Sequence, residues 1–305
     1  MASLFLSDAE VADAIGMPDA IAAMRRAFLG LGRGQSAVQD RVRVHAGGVS
    51  LSMMGGIDGA GGAMGAKVYS TFEGRFDFVV PLFSTQDGRL LRVVQGNQLT
   101  RLRTAAVTRV VADALAAPGR RRLAIFGSGV QARAHAQAFC HDGFASEVLV
   151  CALEDADVFA AEIHQRFGVA ARAVDAHTAV AQAELVITAT RSTEPLFDGS
   201  LLAPGALVMA IGSSKPTARE IDDTALARAG RIVVESASQA LREAGELVLA
   251  GAAAGVPAKL VELGTLLAGE RGTSAAGGDL TVYKSVGIGL EDVVLALLAH
   301  ERVPL

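Results

Sequence analysis

Hydrophobic and polar residues follow a period of two in the early part of the chain. Between Asp40 and about residue 94 apolar and polar positions alternate, as in 41–45, and this pattern predicts half-exposed strands of an antiparallel sheet. An Asp-Gly pair at 87–88 predicts a hairpin turn. A capping-box spacing that starts at Ser7, and Pro18 in a first turn, predict two helices before the sheet. A third helix is expected over about 100–115, which completes an α+β pattern.

From residue 120 the pattern changes to short apolar runs that alternate with helical segments. The predicted strands are 123–126, 148–151, 171–174, 185–189, 207–211 and 232–234. Such alternation is typical of a doubly wound parallel sheet. We therefore expect an α/β chain with a Rossmann domain over 120–284 and an α+β domain over 1–119, divided at Pro118-Gly119. An apolar helix over about 286–300 is expected to return to the first domain, which adds 285–305 to it.

A glycine turn near the middle of the chain carries the clearest chemical signal. The run Gly127-Ser-Gly129-Val-Gln-Ala132 follows a predicted strand and leads into a predicted helix, in the form GxGxxA. The first glycine allows a tight turn, the second lets backbone N–H groups approach a pyrophosphate, and the helix N-terminus favours negative charge. The sequence therefore predicts dinucleotide binding, and the alternative is a glycine turn without a ligand. The predicted contacts are Gly127, Ser128, Gly129, Val130 and Gln131.

The cofactor's sugar and nicotinamide are expected at two other places. About twenty residues after the glycines an acid would accept hydrogen bonds from the ribose hydroxyls and repel a 2′-phosphate. Glu154 lies near that place and no Arg or Lys occurs in 151–155, so the sequence favours NAD over NADP. Glu154 is equally consistent with a plain acid at a helix N-terminus. The residues expected near the nicotinamide, at the ends of later strands, are Thr188, Ala189, Thr190 and Ile211.

Composition narrows the classes of function. The chain has 305 residues, of which 51% are hydrophobic, and a net charge of −4. Beyond the arginines at 120–122 there is no dense basic tract, so no nucleic-acid partner is expected. No signal peptide or continuous apolar stretch of membrane-helix length is recognised, so we expect no membrane partner and a cytoplasmic location. Cys140 and Cys151 are interpreted as core residues, and no metal-ligand spacing is found.

Several motifs occur in order along nearly the whole chain. They are Gly65-Ala-Lys67-Val, Leu99-Thr-Arg-Leu-Arg103-Thr-Ala-Ala106, the glycine turn, Val186-Ile-Thr-Ala-Thr-Arg-Ser192, Ala210-Ile-Gly212 followed by Arg219-Glu-Ile-Asp222, Glu262-Leu-Gly264, and Thr281-Val-Tyr-Lys-Ser-Val-Gly287. Together they resemble the ornithine cyclodeaminase/mu-crystallin family. The resemblance implies an NAD(P)-dependent oxidoreductase whose Rossmann domain is inserted into a substrate-binding and dimerisation domain. It also implies a homodimer, and the open sheet edges of the first segment favour such cover.

The resemblance further implies a basic cluster that binds the carboxylate of a small amino or imino acid. The implied residues are Arg41, Lys67 and Arg103; a guanidinium pairs with a carboxylate in two places, and a lysine can also donate a proton. If the strand register is shifted, Arg43 takes the place of Arg41. Ser285 is expected to hydrogen-bond the nicotinamide carboxamide, or to cap the last helix.

One position departs from the ornithine cyclodeaminase pattern. Those enzymes carry an Asp two residues after the glycine of the Ala210-Ile-Gly212 motif, and here Ser214 stands there. A serine hydroxyl cannot serve as a carboxylate base near neutral pH. The segment resembles the mu-crystallin/ketimine reductase branch, so we expect reduction of a preformed cyclic imine, Δ1-pyrroline-2-carboxylate or Δ1-piperideine-2-carboxylate, with a proton from Lys67 or a bound water. The alternatives are ornithine cyclodeamination and a non-catalytic NAD(P)H-binding, crystallin-like protein.

Overall fold

The structure, a computed structural model, describes residues 4–117, 119, 121–269 and 280–304. These residues form two compact units. Unit 1 comprises the described residues of Met1–Val107, Leu267–Gly269 and Gly287–Leu305, and unit 2 comprises those of Thr108–Leu266 and Glu270–Val286. Pro118, which marks the predicted domain boundary, lies outside the described residues. The predicted boundaries at 119/120 and 284/285 stay predictions.

The helices and strands have the following bounds. The strands are β1 Phe5–Leu6, β2 Ser36–Val38, β3 Val42–Ala46, β4 Val49–Asp58, β5 Ala63–Phe72, β6 Arg75–Ser84, β7 Leu90–Gln95, β8 Arg122–Phe126, β9 Glu147–Cys151, β10 Ala170–Ala173, β11 Leu185–Thr188, β12 Leu207–Ala210, β13 Ala229–Val234, β14 Leu260–Glu262 and β15 Leu280–Lys284. The helices are α1 Asp8–Ala14, α2 Met17–Gly32, α3 Asn97–Leu115, α4 Val130–Cys140, α5 Ala156–Phe167, α6 Ala176–Gln182, α7 Asp223–Arg228, α8 Ala237–Glu243, α9 Gly245–Val248, α10 Val256–Lys259, α11 Leu263–Leu267 and α12 Gly289–Arg302.

Unit 1 is built on a mostly antiparallel sheet, as the alternating pattern predicted. Its order is β1-β7-β6-β5-β4-β2, with β3 paired to β4, and only the short β1 runs parallel to its neighbour β7 among the described strands. Ser7 closes a capping box at α1, and Pro18 lies in the first turn of α2. The Asp-Gly hairpin between β6 and β7 is also confirmed.

Helix α12 lies against β4 at a distance that only glycine permits. A Cβ atom on Gly56 would come within 2.6 Å of the Cα atom of Leu290, and a Cβ atom on Gly289 would collide with the backbone oxygens of Met54 and Gly55. Because of this close approach, the first turn of α12 reaches the middle strands of the sheet. The acids that follow Leu290 are thereby buried within unit 1.

One face of the same sheet exposes large apolar side chains. Val44 and Leu51, which are cross-strand partners, are 60% and 53% exposed. Others on this face with more than a third of their surface exposed are Val42, Val49, Met53, Ile57 and Phe72. A contiguous exposed apolar patch of this kind is uncommon on a monomer and typical of an interaction surface.

Unit 2 is a parallel sheet with the order β10-β9-β8-β11-β12-β15-β13-β14, and all its recorded pairings are parallel. The α/β fold class predicted from the sequence is confirmed. The six predicted strands are present with small shifts at their ends. Its core is made of apolar side chains from these strands and the helices that cover them.

Two strands of this sheet were not predicted from the sequence, and the expected start of the chain's final helix was wrong. β15 contains Tyr283 and Lys284 and lies between β12 and β13, and β14 forms the edge beyond β13. The final helix was expected from about Val286, with Ser285 as a possible cap. It begins at Gly289 with Ile288 as its N-cap, because the chain first completes β15 and turns at Gly287.

Candidate active site

The glycine turn has the geometry of a phosphate-binding turn. Gly127 has a φ of +105°, and a Cβ atom there would stand 2.7 Å from the backbone oxygen of Ala189. Gly129 is the N-cap of α4 and has no heavy atom within 4 Å of its Cβ position, so space is open above it. A phosphate group fits there, since the N–H groups of the first helical turn have no partner within the helix.

A cleft of about 530 Å³ opens over this turn in unit 2. Its lining residues are Gly127, Ser128, Gly129, Val130, Gln131, Ala189, Thr190, Arg191, Ile211 and Gly212. The structure thus brings the predicted glycine-turn residues together with three predicted nicotinamide-side residues. Arg191 and Gly212 belong to motifs quoted above but were not singled out from the sequence. The lining fits the pyrophosphate and nicotinamide of a dinucleotide.

Glu220 organises the floor of the cleft and was missed by sequence reasoning. Its buried carboxylate accepts hydrogen bonds from the Thr188 hydroxyl at 2.8 Å, and from the Thr190 backbone N–H and hydroxyl at 2.7 Å. It also accepts from the Gly212 N–H at 2.7 Å. Thr188, a predicted lining residue, is therefore buried and bonded to Glu220. The segments after β11 and β12 are fixed to each other by one carboxylate.

The place predicted for the ribose-reading acid is at the end of β9. The Ser128 hydroxyl donates to the backbone oxygen of Glu154 at 3.0 Å, which ties the glycine turn to this segment. The Glu154 side chain is exposed, and the next residue, Asp155, is the N-cap of α5 with a φ of 58°. Glu154 thus precedes the helix rather than lying in its first turn.

The end of β15 is held by a second buried acid. Glu235 accepts hydrogen bonds from the Ser285 hydroxyl at 2.6 Å and from the Tyr283 hydroxyl at 2.8 Å. Lys284, fully buried, lies 3.0 Å from Glu246 and donates to the backbone oxygen of Ser213 at 2.7 Å. The lysine therefore fixes the backbone next to Ser214, which is half-buried.

The predicted carboxylate-binding residues lie together in unit 1. Lys67 on β5 is 2% exposed, and its Nζ atom stands 3.3 Å from Oδ1 of Asp292 and 4.1 Å from the centre of the Phe78 ring. The ammonium group also donates to the Thr100 hydroxyl. A cation so well enclosed is stabilised by its neighbours and not by water.

The two arginines of the cluster come from a loop and a helix. Arg103 on α3 is 6% exposed and forms an ion pair with Glu291, while its Nε atom lies 3.7 Å from Oδ1 of Asp292. Arg41, just before β3, donates to the backbone oxygen of Gly287 at 3.4 Å. Gly287, in turn, packs directly against the Arg103 guanidinium. Arg43 lies on β3 opposite Ser52.

The environment lowers the pKa of Lys67 to about 7. Burial is the largest cause, because it penalises the charged form. Asp292 opposes this by raising the pKa, and Arg103 and Arg41 lower it further. The amine therefore exchanges its proton near neutral pH, which suits a general acid.

Glu291 and Asp292 complete the cluster and were not predicted from the sequence. They lie in the first turn of α12, where Glu291 also accepts a hydrogen bond from the Ile288 N–H at 3.2 Å. A helix N-terminus stabilises acids. The signal available in the sequence was a Glu-Asp pair at the start of an otherwise apolar helix. The final helix was interpreted only as a packing element.

Other kinds of site are not found in the part of the chain that the structure describes. Its described His, Cys, Asp and Glu side chains form no group of three that would hold a metal ion. None of its described helices is long and apolar enough to cross a membrane.

Comparisons with known proteins identify the family of this chain. The model of the ornithine cyclodeaminase/mu-crystallin family matches residues 1–304. The ketimine reductase mu-crystallin of Mus musculus is 34% identical over 260 residues, which cover 82% of this chain and 80% of the relative. The solved structure of a probable ornithine cyclodeaminase from Bordetella pertussis Tohama I is 46% identical with a TM-score of 0.94, covering 99% of this chain and 97% of that one.

A further solved structure carries ligands. The Δ1-pyrroline-2-carboxylate reductase of Thermococcus litoralis, in complex with NADH and L-proline, is 26% identical with a TM-score of 0.89. The match covers 98% of this chain and 96% of that one. The chain belongs to the ornithine cyclodeaminase/mu-crystallin family, which makes it an NAD(P)-dependent enzyme.

Proposed function

We propose that this enzyme reduces a cyclic imino acid, Δ1-pyrroline-2-carboxylate or Δ1-piperideine-2-carboxylate, to the corresponding cyclic amino acid. The observation that carries the proposal is the cluster of the half-buried Arg41 with the buried Lys67 and Arg103, in which the pKa of the lysine is about 7. The names of the mouse relative and the T. litoralis relative support the same reaction type. Because the chain is an NAD(P)-dependent enzyme, we set aside the alternative of a non-catalytic NAD(P)H-binding, crystallin-like protein.

The charges of the cluster suit a substrate with a single carboxylate. Three basic side chains stand beside two acids, Glu291 and Asp292, so one positive charge is left uncompensated when Lys67 is protonated. A buried charge is strongly disfavoured without a partner. The carboxylate of an imino acid supplies that partner, and Arg41 and Arg103 are the groups that bind and orient it.

The reaction then needs one hydride and one proton. The nicotinamide, when bound, supplies the hydride to the carbon of the C=N bond. Lys67 donates the proton from its Nζ atom to the imine nitrogen, so that the double bond becomes a CH–NH unit, and the neutral lysine regains a proton from solvent. The low pKa of Lys67 favours this transfer near pH 7.

Ser214 favours imine reduction over cyclodeamination. Deamination of ornithine requires a base that acts on a normally cationic amine, and a serine hydroxyl does not ionise near neutral pH. Reduction of a preformed imine needs no such base. Ornithine cyclodeamination is the second candidate, because the relative of 46% identity bears that name. In either reaction we assign Ser214 to the substrate's nitrogen side.

The cofactor is proposed to be NAD(H) in preference to NADP(H). The exposed acid Glu154 follows the second strand of the unit 2 sheet in chain order, and no Arg or Lys occurs in 151–155. Ser285 is proposed to meet the carboxamide through its lone pairs, since its hydroxyl hydrogen is used by Glu235. The cytoplasmic location stays a prediction.

A homodimer is proposed from the apolar face of the unit 1 sheet. Exposed apolar side chains such as Val44 and Leu51 gain stability when a partner covers them. A second copy of the chain offers a complementary surface, because a twofold contact uses the same patch on both copies.

The test is an NADH oxidation assay with the two cyclic imino acids, run beside NADH formation with ornithine, alanine and proline. We expect rapid NADH consumption with an imino acid, slower turnover with NADPH, and no ammonia from ornithine. Release of proline and ammonia from ornithine, without reduction of either imine, would reverse the order of the two candidate functions.

A further inference from the structure

The buried cluster divides its two acids between two cations. Glu291 pairs with Arg103 and closes the capping box at the start of α12. Asp292, which is completely buried, lies 3.3 Å from the Lys67 ammonium and 3.7 Å from Nε of Arg103. Lys67 is thus the nearest cation to Asp292 among the ion pairs of the described residues.

The other groups around Lys67 do not balance its charge. Arg41 and Arg103 are cations and disfavour a protonated lysine. The Thr100 hydroxyl accepts a hydrogen bond from Nζ but is neutral, and it passes its own hydrogen to the backbone oxygen of Gly96 at 2.7 Å. The Phe78 ring offers only its π face, and Glu291 is directed to Arg103. Asp292 is therefore the anion that acts on Lys67 among the described residues.

We propose that Asp292 is a positioning residue that keeps Lys67 protonated and aimed until the imine nitrogen takes the proton. The inference rests on the proposed function, because it gives Lys67 the part of proton donor. It also explains why a carboxylate lies at a depth where an unpaired charge is strongly disfavoured. Without Asp292, burial and two arginines would act on the lysine with no opposing charge.

The first experiment is the pH dependence of kcat/KM for imine reduction in wild type, D292N and D292E. In wild type the rate falls as pH rises through about 7, since the donor loses its proton. In D292N we expect this fall about one pH unit lower, the size of shift that one close charge produces. The loss relative to wild type is then roughly tenfold at pH 7.5 and small at pH 5.5. D292E keeps the negative charge, so its kcat/KM should fall at nearly the same pH as that of wild type.

The matched control is D19N. Asp19 forms an ion pair with Arg302 in the last turn of the same helix, and this pair is partly exposed and remote in sequence from Lys67. Its loss should leave both the rate and its pH dependence unchanged. A D292N enzyme that is slow by one constant factor at every pH would contradict the proposal, because a purely structural role lowers activity without moving the fall.

A second measurement does not depend on activity. The stability of wild type, K67M, D292N and K67M/D292N is compared by urea unfolding at pH 5, where Lys67 is charged in wild type and in D292N. We expect K67M/D292N to be more stable than D292N, since the uncompensated cation leaves together with its partner. If D292N does not fold, recovery of folding in the double variant gives the same result.

The two measurements separate the inference from the proposed function. If wild type reduces no imino acid but the unfolding cycle shows strong coupling, the proposed reaction is wrong and the Lys67–Asp292 pair stands. The opposite case is that wild type reduces an imine while D292N keeps the wild-type pH dependence and the unfolding cycle shows no coupling between Lys67 and Asp292. In that case Asp292 has no part in holding the proton.

Discussion

The carboxylate of Glu220 accepts a hydrogen bond of 2.7 Å from the backbone N–H of Gly212. Its other bonds, from Thr188 and Thr190, come from the end of the neighbouring strand. One buried side chain thus fixes two segments that line the dinucleotide cleft, although it is not itself among the lining residues. The cleft keeps its shape because a single acid satisfies four donors.

The variant E220Q should weaken cofactor binding. An amide presents an NH2 group to donors that now face a carboxylate oxygen, and an unsatisfied buried group costs about 1–3 kcal/mol. We expect the Kd for NADH, measured by fluorescence titration, to rise roughly tenfold or more. The control E194Q changes an exposed acid near the same segment and should bind NADH as wild type does. An unchanged Kd in E220Q would show that the cleft does not depend on this acid.

The substrate arginines should separate KM from cofactor affinity. R103K and R41K keep the charge but lose the planar fork, and a hydrogen bond to a charged group contributes about 1.5–3 kcal/mol. We expect KM for the imino acid to rise roughly tenfold or more in each variant, with the Kd for NADH nearly unchanged. R43K serves as the comparison and should resemble wild type. A rise in KM in R43K, with none in R41K, would assign the substrate to Arg43.

His135 should make the protein less stable in mild acid. It is completely buried; its Nδ1 lies 2.7 Å from the backbone oxygen of Gln131 and its Nε2 lies 3.0 Å from the Thr108 hydroxyl. Burial lowers the pKa of His135 to about 4. The unfolded chain binds a proton near pH 6.5 and the folded chain does not, so stability falls as the pH falls from about 6.5 toward 4.

Urea unfolding at pH 7 and pH 5 measures this effect. The histidine contributes a loss of about 2 kcal/mol between the two pH values. H135Q is expected to be less stable at pH 7 but to lose less on acidification, by about that amount. The control H177Q replaces an exposed histidine and should keep the wild-type difference. Equal losses in H135Q and wild type would mean that His135 is charged in the folded state.

The apolar face of the unit 1 sheet should govern association. We expect wild type to sediment as a dimer at micromolar concentration, and V44E and L51E to sediment as monomers, because a buried unpaired carboxylate is strongly disfavoured. The control V158E places the same charge on an equally exposed valine of α5, outside this sheet, and should remain dimeric. A wild-type monomer under these conditions would contradict the proposed dimer.

Local sequence patterns predicted much of the fold. The capping box at Ser7, the Asp-Gly hairpin and six strands of the parallel sheet depend on interactions between residues close in sequence, so their patterns are visible without a structure. β15 was missed because a buried parallel strand is expected to be a nearly continuous apolar run, and this one contains Thr, Tyr and Lys. Its Tyr283 and Lys284 are buried only because Glu235 and Glu246, distant in sequence, receive them.

The sequence by itself determined the family and the kind of chemistry, because the glycine turn and the basic motifs each carry their function in a few adjacent residues. Tertiary structure alone decided which acids meet those bases. Lys67 and Asp292 are separated by more than two hundred positions and lie 3.3 Å apart because Gly56 and Gly289 let a helix press onto a strand. Glu220 likewise accepts hydrogen bonds from two segments because β11 and β12 are parallel neighbours and end side by side. Ion pairs between residues so far apart in sequence depend on how helices and strands pack, and no short stretch of the chain determines that packing.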